Sequence, residues 1–496
     1  MQLLELRNEL DRTSQAFFRF RRIGPDRTLI TNLEGRWLVL SDVEMSAYAR
    51  GAVEKESALE KRLRDHNFLR EGWDEAAARE MIANRKRFLG YGPNLHVMVL
   101  TLRCNETCVY CHASPAPVSA QGLDMTEEIA ERSVDLAFQS TSPSITIEFQ
   151  GGEPLLRFDL LKHIVAYAKA KNETAGKTVE FTMVSNLALM NEEILAFMLE
   201  NKVQICTSID GPKALHDKQR KLPMHSAFDS ATHWIRTINQ AYVDRGLDPN
   251  LYHVEALLTT TRAALARPRD VVDTYRELGC RAIFLRPLDP FGMAGKTAKV
   301  TEYPRSEYQQ FYREAVDYIL ELNQQGEQMI ERYASIFLTK ILHGEDPNFL
   351  DLRSPAGAGV AMLAYGYDGN VYTCDEGRML AAQGDASFCI GNVNESRYRD
   401  LVGHPTVRAM VIASNLDAQP GCVNCTYNPY CGIQTTHNHK TQGSIFGRMR
   451  ESNVCAVHMG IQDYLFGKLA DGEPHVLESF DRWTTVRPRE HFLHET

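Results

Sequence analysis

The chain has 496 residues, 44% of them apolar and 24% charged, with a formal net charge of −9. That is the size of two or three globular domains, each with its own core. No basic run marks a nucleic-acid surface, and no apolar stretch approaches the roughly 18 residues that span a bilayer. The charged N-terminal segment lacks the apolar centre and cleavage site of a signal peptide. The expectation is a cytoplasmic protein with neither nucleic acid nor membrane as partner.

The first 90 residues differ in pattern from the rest of the chain. Runs at 28–33 and 36–40 are strand-like and meet at Glu34-Gly35, a hairpin turn. Helical segments come next over 42–49, 57–69 and 74–88, and Gly92-Pro93 marks a boundary. From Leu95 the pattern turns to strand–helix alternation. Strands are expected at 95–102, 145–149, 178–184, 203–209, 252–259 and 281–288. Helices are expected between them at 125–139, 160–171, 191–201, 228–243 and 269–278. Such alternation predicts an α/β fold with a parallel sheet, whose chemistry belongs at the C-terminal strand ends. Residues 303–342 read as a helical bridge. From Ser354 onward Gly, Asn, Cys and Pro become frequent, which predicts a loop-rich lobe organised by metal rather than by a large core. The expected divisions are 1–92, 93–300, 301–350, 351–465 and a C-terminal tail over 466–496.

Eleven cysteines fall mainly into two tight groups far apart in the chain. In a reducing compartment such grouping points to metal ligation rather than to a disulfide framework. Directly after the first barrel strand comes Leu102-Arg103-Cys104-Asn105-Glu106-Thr107-Cys108-Val109-Tyr110-Cys111. Three thiolates at this spacing hold three irons of a cubane and leave the fourth open to a small molecule, whereas electron-transfer clusters mostly have four cysteines. Structural zinc is the alternative reading of the trio by itself.

The trio, with an aromatic before its third cysteine, resembles the radical S-adenosylmethionine (SAM) superfamily. The resemblance implies a [4Fe–4S] cluster on Cys104, Cys108 and Cys111, with SAM on the open iron. Reductive cleavage of SAM then gives a 5′-deoxyadenosyl radical that abstracts hydrogen. Three further loops, each after a successive strand, extend the match. Gly151-Gly152-Glu153 corresponds to the motif for the SAM amino group, its glycines admitting a close ligand and Glu153 supplying an anion. Ser185-Asn186 matches a polar pair that contacts SAM. Tyr110 in the first loop is expected to contact SAM, and Ser208, Asp210 and Arg220 either anchor its polar groups or stabilise their own loops.

Near the C-terminus Cys422, Cys425, Cys431 and Cys455 make a closed set suited to zinc or to an iron–sulfur cluster. After such a barrel it resembles the SPASM extension, whose full pattern has seven cysteines for two auxiliary clusters. Here the stretch 354–359 has no cysteine, and Thr435 stands where another is expected. Both belong to the inner cluster, so the resemblance implies one auxiliary [4Fe–4S] cluster, the outer one. Cys374 is left an orphan, and Cys389 is either a substitute ligand or a small buried hydrophobe. In the related anaerobic sulfatase maturases an Asp directly after this cysteine is the general base. Asp375 matches it, beside Cys374, unless it is a turn residue paired with Arg378. His437 and His439 read as solvated loop residues.

The implied fold is a partial (β/α)6 TIM-type barrel with an N-terminal α+β module resembling those that bind leader peptides, and a SPASM-like lobe. Residues 102–108, 285–288 and 372–379 resemble the His-Xaa-Ser repeat system maturases. The activity implied is crosslinking or oxidation of a ribosomally made precursor peptide, with flavodoxin or ferredoxin as electron donor. Sulfatase-maturase-type oxidation of Cys or Ser on a protein is the alternative. A non-catalytic iron–sulfur or zinc sensor or scaffold is an alternative of another class.

Overall fold

The computed structural model describes residues 13–249 and 252–485. Strands β1 (Arg19–Gly24), β2 (Arg27–Thr31) and β3 (Trp37–Leu40) form an antiparallel sheet. Helices α1 (Asp42–Ala49), α2 (Ala58–Asp65) and α3 (Glu75–Arg85) come next, at the positions the sequence predicts. Ser41 starts α1 with a capping box closed by Glu44. Ile30, Leu40, Met45, Tyr48, Leu63 and Phe68 give this module a small core of its own. Strand β1 is not evident in the sequence because arginines fill it. Those arginines serve a distant contact: Arg21 Nε lies 2.8 Å from Asp463 Oδ1, and Arg19 Nε donates to the Val423 carbonyl at 2.8 Å.

The centre is an α/β fold built on a parallel sheet. Six parallel strands stand side by side in chain order: β4 (Leu95–Thr101), β5 (Ser144–Gly151), β6 (Thr178–Val184), β7 (Gln204–Ser208), β8 (Glu255–Thr259) and β9 (Leu285–Arg286). Helices between them cover the outer face, three of them begun by a side-chain cap at Thr126, Asn191 and Ser226. The run at 281–288 is not one strand. Arg286 N bonds back to the Phe284 carbonyl at 2.8 Å, so Ala282–Ile283 pairs with Ile330–Glu331 and only Leu285–Arg286 joins β8. The buried Glu331 carboxylate holds the break by accepting from Leu285 N at 3.2 Å and Tyr312 OH at 2.6 Å.

The sheet does not stop at six strands. The bridge helix α4 (Arg305–Gln324) leads on, and β10 (Met362–Tyr365) then pairs parallel to β4, continued by antiparallel β11 (Asn370–Tyr372) and β12 (Cys389–Asn392). His96 in β4 and Tyr365 in β10 share a 3.0 Å hydrogen bond across that join. The C-terminal lobe therefore completes the edge of the barrel, and its Tyr365, Val371, Ile390, Tyr427, Tyr430 and Val457 belong to the barrel's own core. The expectation of a lobe without a large core is corrected accordingly. The division at 465/466 falls inside the helix Asn453–Asp471, and Pro474–Trp483 is a packed helix rather than a tail, with Ser335 Oγ donating to the Trp483 carbonyl at 2.6 Å. Among the described residues, no helix is long and apolar enough to cross a membrane.

Burial holds two core histidines neutral, pushing His96 and His216 each down to about 4. Between that value and the ordinary 6.5 the unfolded chain binds more protons, so their contribution is complete above pH 6.5 and lost as pH falls toward 4. Thermal unfolding from pH 7.5 to 4.5 should show Tm falling on the acid side, with a smaller fall in His96→Gln. An equal fall in the variant would rule His96 out as a contributor.

Candidate active site

The first thiol group lies at the C-terminal end of β4, on a loop held from several sides. Arg103–Cys104 pairs with Ala116–Pro117, and Thr107–Cys108 pairs antiparallel with Arg220–Lys221, Cys108 opposite Arg220. The Cys111 carbonyl accepts from Met293 N at 2.7 Å, and the Val109 carbonyl from Thr297 Oγ1 at 2.7 Å. Arg103 makes a two-pronged contact with Asp124 at 2.8 and 2.6 Å. Cys104, Cys108 and Cys111 each fall within electrostatic reach of others in the trio. Burial pushes all three thiols up, Cys104 to about 12.

Beneath this loop sits a buried charge network. Tyr110 OH donates to Asp210 Oδ1 at 2.5 Å, and Arg220 Nε donates to the Tyr110 oxygen at 2.8 Å. Arg220 also lies 3.4 Å from Asp210 and 3.6 Å from Glu106, with Gln219 donating to Asp210 at 3.2 Å. Burial pushes Glu106 up, opposed by the nearby Arg220. Tyr110, Asp210 and Arg220 are thus bound to one another beneath the loop. Ser208 closes β7 on the same rim. Glu106 and Gln219 carry no motif signal in the sequence, although Glu106 lies between two of the cysteines.

The Gly151-Gly152-Glu153 loop meets the cysteine loop backbone to backbone. Gly152 N donates to Thr101 O at 2.7 Å and Glu153 N to Arg103 O at 2.8 Å. A Cβ on Gly151 would lie 2.4 Å from Thr101 O, and one on Gly152 2.2 Å from Arg103 O. The glycines thus bring two chain segments together, where the sequence suggests that they admit a ligand. Glu153 is buried and accepts from Leu155 N at 3.0 Å, Asn186 N at 2.9 Å and Ser185 Oγ at 2.8 Å. Burial nevertheless pushes its carboxyl up to about 7. Asn186 Nδ2 reaches Asn105 Oδ1 at 2.8 Å, so three successive strand ends meet around the cysteine loop.

Cys422, Cys431 and Cys455 pack beside Leu416, Ile433 and Met449 in the C-terminal lobe, and Cys425 lies within electrostatic reach of all three. Burial, and to a lesser degree their mutual charges, push the thiols up, with Cys422 at about 12 and Cys455 at about 11. Cys374 is only 2% exposed and packs in an apolar cluster with Val97, Met362 and the partly buried Cys389. Asp375 accepts from Arg378 Nε at 2.7 Å in a buried pair, the turn arrangement rather than that of a free base. Thr435 is buried at the start of the helix α5 (Thr435–Gln442). That helix buries His437 against Asp289, which corrects its reading as a solvated loop residue. His439 is partly buried and contacts Asp385 at 2.6 Å. Asp289, Asp351 and Glu376 gather near Arg286, and burial with mutual repulsion pushes Asp351 and Glu376 up.

This geometry has counterparts among known proteins. Residues 98–243 match the family described as the radical SAM superfamily. The chain is 25% identical over 336 residues to a cysteine-type anaerobic sulfatase-maturating enzyme of Clostridium novyi, covering 66% of this chain and 83% of that one. It is 27% identical over 207 residues to a serine-type anaerobic sulfatase-maturating enzyme of Bacteroides thetaiotaomicron, covering 39% and 46%. Among solved structures, native anSMEcpe with bound AdoMet aligns with TM-score 0.62 at 18% identity, over 76% of this chain and 98% of that one. SuiB of Streptococcus suis bound to precursor peptide SuiA aligns with TM-score 0.51 at 12% identity, over 89% and 99%.

The residues fit a three-cysteine cluster with a bound sulfonium amino acid. The trio is gathered at strand ends, its loop is pinned, and a buried acid, Glu153, stands beside it with no ion-pair partner among the described residues. Among the described residues, no three His, Cys, Asp or Glu side chains are drawn tightly enough to hold a single metal ion.

Removing the Arg220 guanidinium leaves Glu106 and Asp210 buried without a cation, a loss of about 3–5 kcal/mol for a broken buried pair. Arg220→Met should lower Tm by several degrees and reduce the iron bound after anaerobic reconstitution. Unchanged iron content would show that the network does not position the cysteine loop.

Proposed function

We propose that this chain, whose residues 98–243 form a radical SAM domain, modifies a ribosomally made precursor peptide by crosslinking or oxidation that begins at a C–H bond. The observation that carries the reading is the convergence of Cys104, Cys108 and Cys111 with Glu153 at the strand ends, beside a lobe bearing a second thiol group. When bound, the cluster and SAM together supply an electron and a hydrogen-abstracting radical.

The chain's own residues supply position and exclusion of water. Cys104, Cys108 and Cys111 would hold the cluster, and Arg220 with Tyr110, Asp210 and Glu106 keeps their loop in one conformation. Glu153, Ser185 and Asn186 form the polar wall on which the ammonium end of SAM would rest; a cation there favours the ionised form of Glu153. Cys422, Cys425, Cys431 and Cys455 would hold one auxiliary [4Fe–4S] cluster, and flavodoxin or ferredoxin would deliver electrons.

The N-terminal sheet would receive the leader along the outer edge of β3. Arg62 stands on that edge, its Nη2 donating to the Val39 carbonyl at 3.0 Å, so an added strand has to displace it. A small peptide encoded beside the gene is the substrate that the motifs shared with the His-Xaa-Ser system favour. Oxidation of Cys or Ser on a sulfatase is the second reading, favoured by sequence similarity to the two sulfatase-maturating enzymes.

Anaerobic co-expression with the neighbouring peptide decides between them. The expected outcome is a peptide lighter by about two hydrogens, abolished in Cys104→Ala. Conversion of a sulfatase-motif peptide, with the neighbouring peptide untouched, would favour the second reading. Iron analysis adds an independent check: about eight irons per reconstituted chain, falling to about four in Cys422→Ala/Cys425→Ala. Zinc in place of iron at the second group would refute the auxiliary cluster.

A further inference from the structure

One polar dyad at the strand ends takes no part in holding the cluster or SAM. His437 is 4% exposed, and its Nδ1 lies 3.3 Å from Asp289 Oδ1. Nδ1 thus faces the Asp289 carboxylate, while Nε2 has no hydrogen-bond partner among the described residues. Burial pushes the Asp289 carboxyl up, but His437 beside it, with His112 and Arg286 nearby, offsets this and leaves the carboxyl below its ordinary range. A buried imidazole nitrogen without a partner loses free energy in the folded state, so its retention calls for a reason.

Position supplies one. Asp289 comes shortly after β9, the last barrel strand. The ring of Phe291 meets both His437 and His112 edge-on, each at 6.5 Å between centroids. His112 directly follows Cys111, and Gly292 packs so closely that a Cβ there would lie 2.5 Å from the Cys111 carbonyl. One aromatic ring therefore separates the dyad from the loop of the first thiol group. Arg286, Asp351, Glu376, His112 and His458 are the titratable groups around it. Asp375, by contrast, is already engaged by Arg378.

An imidazole oriented by a carboxylate through one nitrogen, with the other unengaged, is the arrangement of a general base. We propose that His437, oriented by Asp289, accepts the proton that the substrate residue gives up during its modification. The proton leaves a heteroatom of that residue, an N–H, O–H or S–H, for Nε2. The bonding electron pair stays on the heteroatom, and Asp289 balances the imidazolium. The assignment rests on the peptide-modifying reading. It also gives α5 a purpose: the helix opens with Thr435, where the SPASM pattern has an inner-cluster cysteine, and two residues on it presents His437.

The test uses the full-length reconstituted enzyme with the neighbouring peptide, measuring 5′-deoxyadenosine and peptide mass separately. His437→Gln should still form 5′-deoxyadenosine within about twofold of wild type, while modified peptide falls by about 10²-fold or more. Added imidazole should restore product in His437→Gly. Wild-type product formation in His437→Gln overturns the assignment. So does a joint loss of both readouts without imidazole rescue, which would mark His437 as structural. A wild-type enzyme that leaves the peptide unmodified overturns the peptide reading itself, and the base with it.

Discussion

The cysteine loop depends on one buried ion: the Arg220 guanidinium, shared among Tyr110, Asp210 and Glu106. Two carboxylates in an apolar interior repel each other and lose hydration, and only a cation with several donors in fixed geometry offsets both effects. Arg220 is placed to do this because its own backbone pairs with Cys108. The charge network and the strand pairing therefore fix the same segment. A lysine offers a single ammonium and lacks the planar fork that reaches three oxygens at once.

The second constraint is steric. Gly151 and Gly152 allow the end of β5 to touch the cysteine loop, and Gly292 does the same from the other side. Backbone contact leaves no room for side-chain adjustment, so the loop is set by the sheet itself. The N-terminal module meets the other thiol group in a related way. Thr31 Oγ1 donates to Thr426 O at 2.7 Å and Tyr430 OH to Gly35 O at 2.9 Å. The hairpin turn that the sequence announces is thus a clamp on the loop between Cys425 and Cys431.

Much of this was legible in the chain. The strand at 178–184 and helices such as 42–49 show their period directly, because one face is more buried than the other, whereas 95–101 is buried on both faces and shows itself as an unbroken apolar run. Motif order placed the thiol trio and the Gly151-Gly152-Glu153 loop at strand ends, where they are. Three things were hidden. Strand β1 is rich in arginine, so its alternation carries no hydrophobic signal. Strand β10 pairs with β4 across some 260 residues, a non-local contact that no local pattern encodes. The burial of His437 arises from packing of α5 against Phe291, and a Thr-Thr-His-Asn-His run reads as polar surface in isolation.

The lobe also shows what holds the stretches where the resemblance leads one to expect further cysteines. Ser354 Oγ accepts from Leu416 N at 3.1 Å, and Thr435 is buried at a helix start, so both positions that lack the pattern's cysteines are engaged in local packing. The buried Lys340 ammonium binds the Leu352 carbonyl and lies 3.4 Å from the Cys431 carbonyl, joining the two stretches of the lobe. Burial lowers that amine to about 8, the Cys431 thiol opposing the shift. His458 adds a second tether to the same cysteine, its Nδ1 3.6 Å from Cys431 Sγ and its Nε2 2.6 Å from Tyr333 OH. Since burial keeps His458 neutral, down to about 3, it carries one ring proton, and the Tyr333 hydroxyl complements whichever nitrogen holds it. Hydrogen bonds and apolar packing thus do for the inner half of the lobe what thiolate ligands are proposed to do for the outer half, which is why a single core runs from the barrel through to Val457.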